Sequence, residues 1–250
     1  MANDKSNINL SIIIPIYNEE RVLDATLTEL EFYLAEMGML DTTEVVCAVT
    51  SDGDDHSHEI AQLHSPNFAH CQVLDLGGRL GKGKTVAEGM MAAKGKYRIF
   101  TDADLATPAH HIPYMLELLE VGNEVVIGVR NLRVMHESLV RRVSSVVSNA
   151  IIQFLAAPGI KDTQCGFKGF SSEATQRIFS QQQVTGWGFD FEVIAMARRF
   201  RYKIGVMKID DWSDPKGDAG LVGDSQLGAM LKTLRELAVV RKNVWRGLYK

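Results

Sequence analysis

Short β-branched apolar runs alternate with stretches of helical spacing through the first half of this chain, and that alternation leaves few folds open to it. Leu10–Ile16 is a compact apolar run rich in isoleucine, and Glu19–Met37 then sets Val22, Leu23, Leu27, Leu30 and Leu34 at helical intervals. Glu44–Val49 predicts a second strand, Ser57–His64 a short helix, Gln72–Leu76 a third strand and Thr85–Ala93 a helix. Tyr97–Phe100 predicts a fourth strand, His110–Val121 a helix and Glu124–Ile127 another strand. Strands alternating with helices build a mostly parallel α/β sheet covered on both faces. In such sheets ligands sit beyond the carboxyl ends of the strands.

The second half changes character. Glu137–Leu155 predicts a helix that begins basic, Thr163–Phe170 a strand, Phe189–Arg199 a helix and Lys203–Ile209 a strand. Asp211–Asp224 is a polar loop, and Gln226–Leu248 closes the chain as a helix. No repeat or linker divides the chain, and 250 residues suit one α/β domain with an insertion. With 46% apolar and 23% charged residues, a sizeable core is expected. A net charge of −4 argues against a nucleic-acid partner.

Cys47, Cys71 and Cys165 are far apart and form no CxxC or Cys/His cluster, so neither a zinc site nor a disulfide framework is expected. His56, His58, His110 and His111 are expected at the surface rather than as ligands. The polar start lacks a signal-peptide core, and the apolar stretch at Val146–Ile160 is broken by Ser148, Asn149, Gln153 and Pro158. A cytoplasmic chain with at most peripheral membrane contact is the expectation.

Three strand ends carry polar residues suited to one ligand. Asp102-Ala103-Asp104 follows the fourth strand and offers hard carboxylate oxygens of the kind that hold Mg2+ or Mn2+ against a diphosphate. Alone, such a tripeptide is more often a solvated strand end. Pro15-Ile16-Tyr17-Asn18-Glu19 ends the first strand, and Ser51-Asp52-Gly53-Asp54 the second, where Asp52 can accept hydrogen bonds from a base. A rival motif lies between them. Gly78-Arg79-Leu80-Gly81-Lys82-Gly83-Lys84-Thr85 matches the GxxxxGK[ST] phosphate loop and falls between a strand and a helix, which keeps an NTP-binding protein open.

Together, Ser11–Glu20, Ser51–Asp54, Gly81-Lys82-Gly83 and Asp102–Asp104 resemble the inverting glycosyltransferases of family 2, which have the GT-A fold. Gly128-Val129-Arg130, the Asp162–Lys168 run and Trp187–Glu192 narrow the resemblance to dolichyl-phosphate β-glucosyltransferases and related polyprenyl-phosphate hexosyltransferases. It covers about Leu10 to Trp212. The resemblance implies a nucleotide-sugar half (1–128), an acceptor-side half (129–222) and a basic C-terminal helix (223–250). It implies that Pro15, Tyr17, Glu19 and Asp52 line the nucleoside pocket and that Gly81 and Lys82 border the nucleotide. Asp102 and Asp104 would hold the metal and diphosphate, and Arg130 and Arg142 would face phosphate groups. Asp162, Gln164, Lys168 and Trp187 would shape the sugar and acceptor site, with Asp190 or Glu192 as the acidic group near the acceptor.

The reaction implied is transfer of a hexose, glucose foremost, from a UDP-sugar to a polyprenyl or dolichyl phosphate; a soluble sugar acceptor is the alternative. A phosphate acceptor brings its own oxyanion and needs orientation more than a base, whereas a hydroxyl would require one, with Asp190 the candidate. The chain departs from its relatives at Asp54, where they often carry Ser, and at Ala106, where mannosyl enzymes carry Gln. No N-terminal membrane anchor of the eukaryotic type is expected. An apolar stripe through Leu227, Leu234, Leu237, Trp245 and Leu248, beside Lys232, Arg235, Arg241, Lys242 and Arg246, suits either a membrane-surface helix or a packed one.

Overall fold

The computed structural model describes residues 8–131, 162–213 and 226–250, the last segment with side chains from 235 onward. The expected Glu137–Leu155 helix, Arg142 and most of the polar loop lie outside these residues. The chain runs β1 (Leu10–Tyr17), α1 (Glu20–Glu36), β2 (Thr43–Thr50), α2 (Ser57–His64), β3 (His70–Asp75), α3 (Lys82–Ala92), β4 (Tyr97–Phe100), α4 (Ile112–Glu120) and β5 (Val125–Arg130). Then follow β6 (Lys168–Ser171), α5 (Ser172–Phe179), α6 (Phe189–Arg199), β7 (Ile204–Ile209) and α7 (Gln226–Trp245).

The seven strands form one sheet in the order β3-β2-β1-β4-β6-β5-β7. Its two faces explain the unbroken apolar runs. Along β1, Ile13 joins Val86, Met90, Phe100 and Phe189 on the face covered by α3 and α6. Ile12, Ile14 and Ile16 join Leu23, Leu27, Leu30 and Met115 on the face covered by α1 and α4. These four isoleucines are fully buried, each worth about 1.5–3 kcal/mol of apolar burial. A two-sided strand shows no polar alternation because neither face meets water.

β6 is the exception to the parallel pattern, pairing antiparallel with both β4 and β5. Its first residue, Lys168, lies opposite Phe100 of β4 and Ile127 of β5. The chain therefore enters β6 at the sheet edge where β4 and β5 end. That single reversal brings Asp162–Phe167 beside Asp102 and Arg130. The strand expected over Thr163–Phe170 is correspondingly short: its first five residues are loop, and only Lys168 onward joins the ladder. α5 went unforeseen, although Ser171 caps it by accepting from Ala174 N at 3.1 Å.

A polar node secures the opposite edge of the sheet. Glu44 in β2 is 1% exposed and accepts from Ser11 Oγ at 2.5 Å, Lys94 N at 2.8 Å and Gln72 Nε2. Ser11 Oγ in turn accepts from Gly95 N at 2.8 Å. Glu44→Ala leaves three buried or half-buried donors without this acceptor, so we expect a stability loss of about 3 kcal/mol in urea unfolding. A loss below about 1 kcal/mol would show that water replaces the carboxylate.

Candidate active site

The ends of β1 and β2 build the first wall. Tyr17 Oη donates to Asp52 Oδ2 at 2.7 Å, Asn18 Oδ1 accepts from Asp52 N at 3.1 Å, and Arg79 N donates to Asp52 Oδ1 at 3.3 Å. The Arg79 guanidinium lies 5.2 Å from the centre of the Tyr17 ring. The hydrogen bond to Asp52 raises the Tyr17 phenol above its usual range. Pro15 lies inside β1, paired with Ala48 of β2. Its missing N–H falls on the β4 side, just past the last ladder bond there, from Thr101 N to Ile13 O. Glu19 precedes α1, its backbone N–H donating to Ser57 Oγ at 2.9 Å.

The loop after β4 carries the acidic pair. Thr26 Oγ1 donates to Ala103 O at 2.7 Å, and Asp104 Oδ1 accepts from Ala106 N at 3.1 Å. Leu105 between them has φ +46°, a left-handed conformation that a branched side chain adopts only when its surroundings impose it. Lys82, the first residue of α3, reaches across to Asp102, with Nζ 2.5 Å from Oδ1, and its ammonium lies 4.7 Å from the centre of the Trp187 ring. Burial alone would lower the Lys82 ammonium, but Asp102, aided by Asp190 and Asp104, outweighs it and raises the group. Lys82 is therefore a fixed positive charge beside two carboxylates.

Glycines make this approach fit. A Cβ on Gly166 would lie 1.9 Å from Asp102 Oδ2, so the Asp162–Lys168 run can pass Asp102 only with glycine there. We expect Gly166→Ala to displace Asp102 and cut turnover by about 100-fold or more, with a smaller change in melting temperature. Near-normal turnover would mean that Asp102 moves without consequence. Gly83 also packs too closely for a Cβ, which would lie 2.6 Å from Phe189 Cβ. Trp187 is held between Gly186 and Gly188, where Glu236 of α7 accepts from Gly188 N at 2.8 Å. Glu236 had no signal in the sequence, being one acid in a basic helix.

Arg130, Asp162, Lys168 and Asp190 form two ion pairs. Arg130 grips Asp162 as a fork, Nε to Oδ2 at 2.7 Å and Nη2 to Oδ1 at 3.0 Å, and its own backbone N–H donates to Oδ2 at 3.1 Å. Its guanidinium lies 4.9 Å from the centre of the Trp212 ring. Burial would raise Asp162, yet its bonds to Arg130 hold the carboxyl below the usual range. Lys168 is buried, its ammonium bound to Asp190 and, at 2.6 Å, to Cys165 O. Burial raises the Asp190 carboxyl, with the charges of Lys168 and Lys82 opposing it. Glu192 is buried too: it accepts from Val184 N at 2.8 Å, from Gln183 N at 3.0 Å and from Tyr249 Oη at 2.7 Å. Its carboxylate ties the 183–188 turn to the chain end. Gln164 is exposed.

The phosphate-loop rival does not survive this geometry. Lys84, which that motif would aim at phosphates, points outward in an ion pair with Glu88 at 2.5 Å. Its backbone N–H donates to Thr185 O at 3.2 Å, and the Thr85 hydroxyl donates to Gly81 O at 3.2 Å. Three of the groups such a loop would present to a nucleotide are thus bonded within the protein.

An α/β sheet with one antiparallel insertion, and polar clusters at the ends of β1, β2, β4 and β5, is the arrangement of a GT-A glycosyltransferase. The profile described as Glycosyl transferase family 2 matches residues 11–179, and the chain belongs to that family. A dolichyl-phosphate beta-glucosyltransferase of Trichomonas vaginalis is 29% identical over 97% of this chain and 77% of its own. One of Homo sapiens is 30% identical over 86% of this chain and 70% of its own. Among solved structures, glucosyl-3-phosphoglycerate synthase from Mycobacterium tuberculosis, in complex with Mn2+, UDP-glucose and phosphoglyceric acid, superposes with a TM-score of 0.61 at 16% identity, over 94% of this chain and 80% of its own. Its likeness shows the shared fold.

Proposed function

We propose that this chain transfers a hexose, glucose foremost, from a UDP-sugar to a dolichyl or polyprenyl phosphate, with inversion at the anomeric carbon. The observation that carries this reading is the Lys82–Asp102 pair beside Asp104, at the same sheet edge as the Tyr17–Asp52 wall and the Arg130–Asp162 fork. The names of relatives 27% to 30% identical over 86% to 99% of the chain supply the acceptor class.

Asp52 and Tyr17 would receive the uracil and ribose. Asp102 and Asp104 offer only hard carboxylate oxygens, and Asp102 keeps 30% of its side chain open, so the pair suits Mg2+ or Mn2+. A bound dication neutralises charge on the departing diphosphate. Lys82 adds a second positive charge at that point, and stacking on Trp187 steers it. The acceptor phosphate is already an oxyanion, so the bond from its oxygen to the anomeric carbon forms as the bond to the diphosphate breaks. Arg130, fixed by Asp162, orients it. Asp190 is bound to Lys168 and 2% exposed, which suits holding that ammonium in place rather than taking a proton from an acceptor. Radiolabelled UDP-glucose incubated with dolichyl phosphate should yield label that partitions into organic solvent, whereas GDP-mannose should not. Label passing only to a soluble sugar would establish the alternative acceptor.

Among the described residues no helix is long and apolar enough to cross a membrane. α7 divides its apolar residues: Leu237 and Val240 are buried, whereas Trp245 is 85% exposed beside Lys242 and Arg246. We propose that this end docks on anionic lipid, each basic residue contributing about 1 kcal/mol. Reversing Arg241, Lys242 and Arg246 together should weaken liposome binding at low salt by at least about 100-fold. Wild-type protein that ignores anionic liposomes at low salt would end the docking idea.

A further inference from the structure

Two neighbouring histidines and an aspartate a hundred positions later meet outside the cluster described above. His110 and His111 end the short 3-10 turn Ala109–His111 that leads into α4, and Asp211 follows β7. His110 Nε2 lies 2.9 Å from Asp211 Oδ2, and His111 Nε2 lies 2.6 Å from Asp211 Oδ1. The imidazole rings are 4.3 Å apart, tilted by 37°. One carboxylate thus offers a separate oxygen to each of two imidazoles, and the three ligand atoms lie within 4.8 Å of one another.

Two hydrogen bonds would account for the distances. Neutral imidazoles carrying their protons on Nε2 can make both. The same convergence of two Nε2 atoms on one carboxylate also suits a shared cation, because neutral imidazoles are its natural ligands. Around an ion about 2.0–2.2 Å from each ligand atom, neighbouring ligand atoms are about 3.0–3.5 Å apart. From the present 2.9 Å and 2.6 Å, that spacing needs the two contacts to open by about 0.1–0.9 Å. Asp211 and His110 are about half exposed and His111 is mostly covered, which gives one anchored ligand, two that can adjust and an entry path for solvent.

The backbone brings the two arms together without any ion. Ser213 N donates to Ala106 O at 3.0 Å, and Asn131 N donates to Ile209 O at 3.0 Å. Asn131 Nδ2 donates to Asp210 Oδ1 at 3.1 Å. The segment carrying Asp211 is therefore fastened both to the end of β5 and to the loop that runs from Asp104 to the histidines. Preformed ligand placement of this kind lowers the cost of ordering a metal site.

We propose that His110, His111 and Asp211 bind a borderline transition-metal dication such as Zn2+, Co2+ or Ni2+. Two imidazole nitrogens and one carboxylate oxygen select such an ion over Mg2+, and water completes its shell. An ion there would brace the Arg130–Trp212 wall against the loop that carries Asp104.

The test uses full-length, untagged protein stripped of metal and held in excess Mg2+, which occupies hard oxygen sites and leaves imidazoles available. Co2+ titration should develop visible ligand-field bands that saturate at one equivalent, and Zn2+ should displace them. His110→Gln removes a half-exposed side chain and should fold normally; it and Asp211→Asn should each weaken Co2+ binding by about 100-fold or more. Asp104→Ala should retain the bands, which separates this site from the aspartate pair of the proposed transferase. The proposal is overturned if wild-type protein in Mg2+ gives no bands. It is equally overturned if the His110 and Asp211 variants bind Co2+ like wild type, or if Asp104→Ala alone abolishes the signal.

Discussion

Asp104→Ala should lower transfer from UDP-glucose by at least about 1000-fold while the protein stays folded. The two parts of that expectation have separate causes. The side chain's bond from Ala106 N closes a local turn, and such a bond contributes about 1 kcal/mol. The loop has other ties, through Thr26 to Ala103 O and through Ser213 N to Ala106 O. Activity depends on it heavily under the proposed chemistry, since groups that offset charge on a departing diphosphate supply several kcal/mol to the barrier, and about 4 kcal/mol is a factor of 1000. Removing divalent metal with EDTA should reproduce the loss in the wild type, and adding Mg2+ or Mn2+ should reverse it there but not in the variant. Full turnover in EDTA, or in Asp104→Ala, would overturn the metal assignment. A melting temperature unchanged within a few degrees, with turnover gone, would locate the effect in the chemistry.

The strands and helices of the first half were legible because each is a local pattern of apolar spacing. Ser57–His64, Tyr97–Phe100 and Phe189–Arg199 have the bounds expected from spacing alone. α3 begins three residues earlier than its pattern, because Gly81 and Gly83 read as loop. Gly83 is instead a helical residue whose missing Cβ lets Phe189 pack against it. The antiparallel direction of β6 has no local signature, and it is this direction that puts the Asp162–Lys168 run at the site. Motif resemblance supplied what periodicity could not. It singled out Tyr17, Asp52, Lys82, Asp102, Arg130, Asp162, Lys168 and Asp190, which the fold gathers into a few linked pairs. Resemblance could not say how each acts. Glu192 and Asp190 stand two apart in one helix, yet one supports the 183–188 turn and the other supports Lys168. Nor did spacing suggest that His110 and His111 meet Asp211, since that pairing exists only after β7 joins β5.

Lys82 and Lys84 provide the sharpest remaining comparison, because two readings of one octapeptide assign them opposite weights. Lys82→Ala should reduce kcat/KM for UDP-glucose by about 100-fold to 1000-fold. Its ammonium is mostly covered, is raised by the carboxylates around it despite burial, and is held between Asp102 and the face of Trp187. Removing it takes away the positive charge bound to Asp102, so the site would repel a diphosphate more strongly. Some loss of stability should accompany this, since Asp102 is left partly buried and unpaired. Lys82→Arg keeps the charge but replaces a compact ammonium bound to Asp102 with a planar fork, and it should recover only part of the activity. Lys84→Ala should change kcat/KM by no more than about twofold. It removes a surface i,i+4 pair with Glu88, worth about 0.3–0.5 kcal/mol, at a position facing solvent. Measuring UDP-glucose turnover and melting temperature for all three variants separates charge from folding. Loss of activity in Lys84→Ala with Lys82→Ala intact, especially with ATP hydrolysis by the wild type, would reverse the assignment and return the loop to its phosphate-binding reading.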